Sequence, residues 1–434
     1  MGSMRLARAV AGLAFVGQSV SASAQDAAAA PIDSGDTAFI ITASALVLFM
    51  TLPGLALFYG GLVRSKNFLS ILMQCFAISA LISIIWFAGG YSLAFAAGTP
   101  WIGDMSMAGL GGLSAARTGL TIPENVFALY QMMFAIITPA LIIGAFPERV
   151  RFGWVMLFTA GWLLVVYIPA AHWIWGGGWL AALGTMDFAG GIVVHTTAGI
   201  SALVIALMIG KRKGFPQTMI PPHSPAMTMI GAGMLWVGWF GFNGGSALAA
   251  NAGAGDALLA THLSASAAAL VWAALEKFKI GKATSVGLVT GAVAGLATVT
   301  PAAGYISPLG GVVMGVAGAL VCFTAVLTIK QRWRIDDSLD VFAVHGVGGI
   351  LGSLLLAPLA STAFGGVGLA EGRTIMGQLS AQACGLATII LLSVVASYVL
   401  AKLAGLIVPM RVDSEGEHDG LDLTSHGERA YEFD

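Results

Sequence analysis

Apolar residues run in eleven long stretches along the chain, at 37–62, 69–97, 124–147, 153–173, 188–209, 225–249, 257–276, 285–303, 308–329, 339–360 and 375–406. Short polar segments rich in glycine, proline and charge separate them. A helix rises ~1.5 Å per residue, so about 20 apolar residues span a hydrocarbon core of ~30 Å. The pattern predicts an all-α polytopic membrane protein with eleven transmembrane helices over 37–406. Beyond Pro409 the apolar character stops, and 407–434 reads as a separate polar tail.

Composition narrows the class. Of 434 residues, 57% are hydrophobic and 9% are Asp, Glu, Lys or Arg, against about 25% charged in a soluble domain. Mean hydropathy is +0.88. So little charge cannot cover a water-facing surface of this size, and a net charge of −1 gives no footprint for nucleic acid. The 58 glycines suit helices packed closely in lipid. Cys75, Cys322 and Cys384 are far apart in apolar runs, so they read as small buried hydrophobes rather than a metal or disulfide framework.

The few charges carry the topology. Arg5 and Arg8, a short apolar run from Ala9 to Val16 and the small-residue site Ala22-Ser23-Ala24 form a signal-peptide pattern over 1–24. Cleavage there leaves the N-terminus outside, and eleven crossings then leave the C-terminus in the cytoplasm. Basic residues obey this alternation: 16 of 20 fall in alternate loops or the tail, from Arg64 and Lys66 through Arg149, Lys211–Lys213, Lys277 and Lys330 to Arg411, as the positive-inside rule requires.

Three motifs repeat in the same order, five spans apart. Phe58-Tyr59-Gly60-Gly61 matches Phe242-Asn243-Gly244-Gly245; Thr138-Pro139-Ala140 matches Thr300-Pro301-Ala302; Asp187, eight residues before His195, matches Asp337, eight before His345. Because five is odd, the copies cross in opposite directions: two inverted five-helix repeats plus a final helix. Such folds put the substrate path at the repeat interface near the midplane.

A histidine inside the hydrocarbon is costly and marks a pathway. Eight residues of helix place His195 ~12 Å inward from one end and His345 ~12 Å from the other, so the two imidazoles are expected to meet near the bilayer centre. Two imidazoles without a third ligand make a poor metal site; a neutral pair can instead pass hydrogen bonds to a small polar molecule or relay a proton. His172 and His262 read as interfacial. Near the outer end, Trp173 and Trp175 beside Gly176-Gly177-Gly178 and Asp187 suggest a shaped vestibule whose aromatic faces attract cations.

Taken together, Pro53-Gly54-Leu55-Ala56-Leu57-Phe58-Tyr59-Gly60-Gly61-Leu62-Val63-Arg64, the segment 171–178, Asp187 to His195, Trp239-Phe240-Gly241-Phe242-Asn243, Thr300-Pro301-Ala302 and Asp340-Val341-Phe342 to His345-Gly346 resemble the ammonium transporter (Amt/Mep/Rh) family, in its bacterial Amt-type branch. The resemblance implies a homotrimer with one pore per protomer. It implies that Phe134, Trp175 and Ser246 form an outer ammonium-recruitment site and that Phe134 and Phe242 stack as a gate beneath it. It further implies that His195 and His345 are a twin-histidine pair, with Asp187 the acidic residue near the outer site and in the proton relay. Tyr130 departs from the phenylalanine of many relatives and adds a hydroxyl to the vestibule. The implied activity is capture of NH4+, deprotonation near the gate and passage of NH3, with separate proton transfer making uptake electrogenic; methylammonium is the expected analogue.

The tail is acidic, from Asp413 to Asp434, which on composition alone reads as solvated chain. Gly420-Leu421-Asp422 and His426–Tyr431 resemble the family's ordered regulatory tail, which packs under a neighbouring subunit and implies a PII-type nitrogen regulator as partner. The expected location is the cell inner membrane. No cofactor is expected, and no nucleophile–base pairing suggests an enzyme. An ammonium sensor is the less expected class, because the tail carries no kinase or cyclase motif; a neutral gas channel for NH3 or CO2 is disfavoured by Trp175 and Phe134.

Overall fold

The protein is described here by a computed structural model covering residues 31–218 and 221–432; the signal-peptide reading at 1–24 lies outside them. Among the described residues, ten helical segments are long and apolar enough to cross a membrane: α1 (Ser34–Leu62), α2 (Ser65–Phe95), α3 (Glu124–Ala145), α4 (Phe152–Leu183), α5 (Gly191–Ile209), α6 (Pro225–Gly244), α7 (Ala252–Ile280), α9 (Pro308–Arg332), α10 (Phe342–Leu359) and α11 (Ile375–Ile407). The stretch expected at 285–303 is a shorter apolar helix, α8 (Ser285–Val299). Thr300 still has helical angles (φ −49°, ψ −44°), and the chain then turns away through 300–305. The chain is thus a multi-pass, all-helical membrane protein, and among the described residues strand pairing is limited to isolated bridges such as Val150–Arg411.

Helix starts follow the local chemistry. Side chains of Asp33, Ser224, Thr284, Ser307 and Thr374 accept first-turn backbone N–H groups of α1, α6, α8, α9 and α11, and Pro225 and Pro308 sit where the missing N–H costs nothing. Burial differs by helix. α3 is almost wholly enclosed, whereas α9 and α11 are mostly exposed, displaying Leu391, Val395, Leu403 and Leu406 as a hydrocarbon-facing wall. Cys75 and Cys322 are buried as expected; Cys384 is instead exposed on α11, since that helix packs along one side only.

The basic loops converge on one end of the bundle. Arg64 pairs with Glu148 at 2.9 Å, and Arg212 reaches both Asp336 at 3.0 Å and Glu148 at 3.7 Å. Fully buried Arg149 donates to the carbonyls of Ala145, Asp336 and Gly210 and to Ser338. The tail folds onto this end as two short helices, α12 (Ser414–Asp419) and α13 (Leu421–His426). Glu417 accepts from Arg411 and from the Lys213 N–H, Asp422 accepts the Leu69 and Ser70 N–H groups, and Asn67 accepts from Leu421 N. The composition-based reading of the tail as solvated chain is therefore corrected over its described residues: Glu417 and Asp422 fall where a basic side chain and free N–H groups await them, and they dock on this chain's own loops. Arg117 and Arg373 lie elsewhere, against Glu124 and the Leu183 carbonyl, so the alternation of charge survives as a real separation of ends.

The inverted halves are visible in matched details. Thr138 and Thr300 each donate to the carbonyl four residues earlier. Asp187 and Asp337 each accept N–H groups at the start of α5 and α10. Gly199 and Gly349, each four residues after its histidine, lie against the other helix: a Cβ on Gly199 would collide with Gly346 and one on Gly349 would stand 2.9 Å from the His195 Cβ. The two helices can cross this closely only because neither carries a side chain at the crossing.

Candidate functional site

At the crossing, His195 and His345 sit in π-helical turns, Gly191–Thr196 and Phe342–Gly346. Such wide turns often mark functional sites. The imidazoles meet: their Nδ1 atoms are 3.2 Å apart, and the rings lie 5.1 Å centroid to centroid at 20°. One Nδ1 must donate and the other accept, so a neutral pair carries its remaining proton and remaining lone pair on the two Nε2 atoms. Nε2 of His195 is buried and has no protein partner. Buried polar atoms without a partner are few in a folded protein, and this one belongs to a ring that lines a cavity.

What it faces is narrow and greasy. A cavity of about 10 Å³ is lined by His195 and His345 together with Phe58, Leu141, Trp239 and Phe242, space on the order of a single water-sized molecule. Trp239 lies 5.6 Å from the His195 ring at 23° and is fixed by its Nε1–H, which donates to Thr300 at 2.9 Å. On the His345 side the path opens into a 460 Å³ vestibule at the basic end, which reaches Arg212, Lys330 and Asp340.

Above the cavity, Phe134 and Phe242 are 4.3 Å apart at 34°, a tilted stack across the path. Phe242 lies in a third π-helical turn, Phe240–Gly244. Trp175 meets Phe134 edge-on at 5.8 Å and is held by its Nε1–H, which donates to the Asp187 carbonyl at 2.7 Å. Ser246 is half-buried, with its hydroxyl 2.8 Å from the Phe242 carbonyl. Trp175, Phe134, Phe242 and Ser246 thus form one linked cluster. Trp173, two residues from Trp175, points the other way, into an outer group with Trp101 and Trp179. The turn between Trp175 and Trp179 needs its glycines: Gly177 has φ +82°, and a Cβ on Gly176 would strike the Ala94 carbonyl.

Asp187, expected near the outer site and in the relay, lies beside Trp175 through its backbone carbonyl. It is buried, and its carboxylate accepts N–H groups from Gly190, Gly191, Ile192 and Val193 at 2.7–2.9 Å. All four bonds go to the first turn of α5, so the carboxylate holds the helix rather than lining the histidine cavity. His172, read as interfacial, is also buried; its ring nitrogens reach the Ala94 and Thr99 carbonyls at 3.0 and 2.8 Å and pin the outer loop.

Comparison with known proteins identifies the family. The family model "Ammonium Transporter Family" matches residues 38–431. The chain belongs to that family. It is 43% identical over 405 residues to the ammonium transporter of Bacillus subtilis, covering 92% of this chain and 98% of that one. It is 42% identical to the ammonium transporter Amt1 of Archaeoglobus fulgidus, over 92% and 100%. Among solved structures, a protein titled "Sensor Amt Protein" superposes with a TM-score of 0.84 at 29% identity, over 90% and 98% of the two chains. Mep2 of Saccharomyces cerevisiae gives 0.80 at 35% identity over 88% of each. These relatives are named as transporters or sensors, and the family is one of transport proteins rather than enzymes.

Of the lining residues that sequence reasoning did not assign to the path, two carried a usable signal. Phe58 faces the histidine cavity beside Phe242; as the repeat mate of Phe242 it was detectable from the paired FxGG motifs. Trp239 lies one turn before Phe242 on α6, where a helical-wheel count would have placed it.

Proposed function

We propose that this protein transports ammonium, taking NH4+ from the cluster of Trp175, Phe134 and Ser246 and passing NH3 through the Phe134/Phe242 gate and along His195 and His345. The observation that carries this reading is the unpartnered His195 Nε2 on a cavity one small molecule wide, directly beneath an aromatic stack. Trp175 and Phe134 offer π-faces and Ser246 a lone pair in place of water. Carrying the intact ion further is prohibitive, because an isolated ammonium in an apolar medium costs roughly tens of kcal/mol. Releasing a proton removes most of that cost, and potassium has no proton to release.

The histidine pair suits a separate proton path, which makes uptake electrogenic. A proton arriving at His195 Nε2 lets the Nδ1 proton pass to His345 Nδ1, while the His345 Nε2 proton leaves into the vestibule; the relay leaves both rings in the opposite tautomers, which are reset before the next proton passes. Asp187 serves in this scheme as a positioning residue for the His195 turn. The family resemblance and the basic end support a homotrimer in the cell inner membrane, signal peptide 1–24 removed, N-terminus outside and C-terminus cytoplasmic. They also support the docked tail over 407–434 as the contact for a PII-type regulator.

Current on purified protein in liposomes tests the reading. Ammonium and methylammonium should each give saturable current and potassium none, with Trp175→Leu or His195→Ala lowering the ammonium current at least about ten-fold, the loss of one charge-assisted contact. Full current in both variants would discard the site assignment, and saturable flux without current would favour a neutral gas channel instead.

A further inference from the structure

α11 stands outside the two inverted halves, yet one of its side chains reaches the backbone beside the outer site. The segment 185–187, which leads from α4 to α5, is outside any helix. Gln382 is fully buried on α11 and grips Met186 by both backbone groups. Its Oε1 accepts the Met186 N–H at 2.7 Å, and its Nε2 donates to the Met186 carbonyl at 2.8 Å. The second Nε2 proton goes to the Ser353 carbonyl on α10 at 3.1 Å, and Gln378 fills the remaining place on Oε1 at 3.1 Å. The amide is thus saturated. Among the described residues, Gln382 supplies the only hydrogen bonds of the Met186 backbone. Gly385, one turn on, lets α11 lie against the same segment: a Cβ there would stand 2.6 Å from Thr185 Cγ2.

Met186 adjoins Asp187, whose carbonyl takes the Trp175 Nε1–H and whose carboxylate caps the turn that carries His195. The inner half repeats the device with other chemistry. Asp336, one residue before Asp337, has its carbonyl held at 2.8 Å by fully buried Arg149. Each histidine-bearing helix is therefore entered through a residue whose backbone is held by a buried polar side chain. In the outer half that side chain comes from α11.

We propose that Gln382 is a positioning residue for the outer site, acting through Met186 and Asp187 on the Trp175 ring. Beyond Asp187 the chain is held by the carboxylate cap and by the Phe188 N–H, which donates to the Pro301 carbonyl at 2.9 Å. At Met186 the backbone has α11 alone. An apolar side chain at 382 leaves the Met186 N–H and carbonyl unmatched among packed helices, where such groups must find partners. The 186–187 peptide then turns to recover them and draws the Asp187 carbonyl off the Trp175 Nε1–H. The proposal rests on the recruitment reading above and adds to it a contribution from the one helix that has no counterpart in either half.

The experiment compares Gln382→Met, Trp175→Phe and the double variant, purified and reconstituted in liposomes, by the concentration dependence of ammonium and methylammonium currents. Gln382→Met keeps the size of the side chain and removes its amide; it should raise the half-saturating concentration about ten-fold, the scale of one lost hydrogen bond. Trp175→Phe keeps a ring and removes the Nε1–H through which Gln382 acts. Adding Gln382→Met to it should therefore shift half-saturation by less than about two-fold. Ser397→Ala, which breaks a bond to Ser201 elsewhere on α11, should leave half-saturation in place even where it lowers the thermal midpoint. An unchanged half-saturation in Gln382→Met overturns the proposal whatever its midpoint. A double variant whose effects multiply does the same, as does Ser397→Ala shifting half-saturation as far as Gln382→Met. If Gln382→Met does not purify as a folded species, Gln382→Glu carries the test: it keeps an acceptor for the Met186 N–H, loses the donated bonds and should raise half-saturation several-fold, and no rise is equally fatal. Failure of the recruitment reading has a different signature, full ammonium current in Trp175→Leu.

Discussion

At the scale of single residues, the site is built from groups whose hydrogen bonds are spent elsewhere. Trp175, Trp239, Tyr130 and Ser246 each use their one proton on a backbone carbonyl or on Thr300, so the path meets ring faces and lone pairs. Asp187 shows the same economy, with four N–H groups converging on one carboxylate. Removing it leaves those buried donors unmatched at about 1–3 kcal/mol for each one that water cannot reach. Asp187→Ala should therefore lower the thermal midpoint in detergent markedly. Asp337→Ala, which loses bonds from Val341 and Phe342 only, should lower it less. Equal midpoints for wild type and Asp187→Ala would refute the capping role.

At the scale of elements, the histidine pair depends on how α5 and α10 cross. Sequence placed Asp187, His195, Asp337 and His345 in two matched helices and anticipated that the rings meet. It could not show that Gly199 and Gly349 make the meeting possible, because a glycine's value there lies in what the opposite helix brings within reach. Gly349→Val should push α10 away from the His195 turn and stretch the 3.2 Å Nδ1–Nδ1 contact. The expected result is ammonium current reduced more than about ten-fold while the protein still purifies as a folded species. Current near wild type would mean that the crossing has slack the close contacts do not suggest. Asp187 adds a contact that sequence did not carry: only the backbone of 190–193 reveals the four N–H groups that its carboxylate accepts.

At the scale of the whole molecule, the tail is tied to the basic loops by a few polar contacts. Burial alone would raise the Glu417 carboxyl, but bonds from Arg411 and the Lys213 N–H outweigh it and hold it below the usual carboxylate range. A depressed value means its share of docking energy is complete above ~4.3, the value in a free chain, and is lost as pH falls through the lower docked value. Asp422 has the opposite sign: burial raises it, so its charge opposes docking at neutral pH and its protonation does not release the tail. Amide hydrogen exchange over 411–426 should thus change little between pH 7 and 5 beyond the intrinsic rate. Glu417→Gln should speed it several-fold at pH 7. Release of the wild-type tail already at pH 6 would contradict the ion-pair account.

Much of this protein was decided in one dimension. Hydrophobic span lengths, the alternation of basic loops and the three repeated motifs determine the helical class, the two ends and the inverted halves, because lipid forces every backbone group into local hydrogen bonds and sorts charge by side. The tertiary structure decided what local pattern cannot carry. It ended α8 early at the Thr300-Pro301 turn, turned Asp187 inward as a cap, exposed Cys384, docked the acidic tail and tied Tyr130 to the carbonyls of α6. Each of these turns on which donor meets which acceptor across helices remote in sequence, and that pairing exists only once the chain has packed.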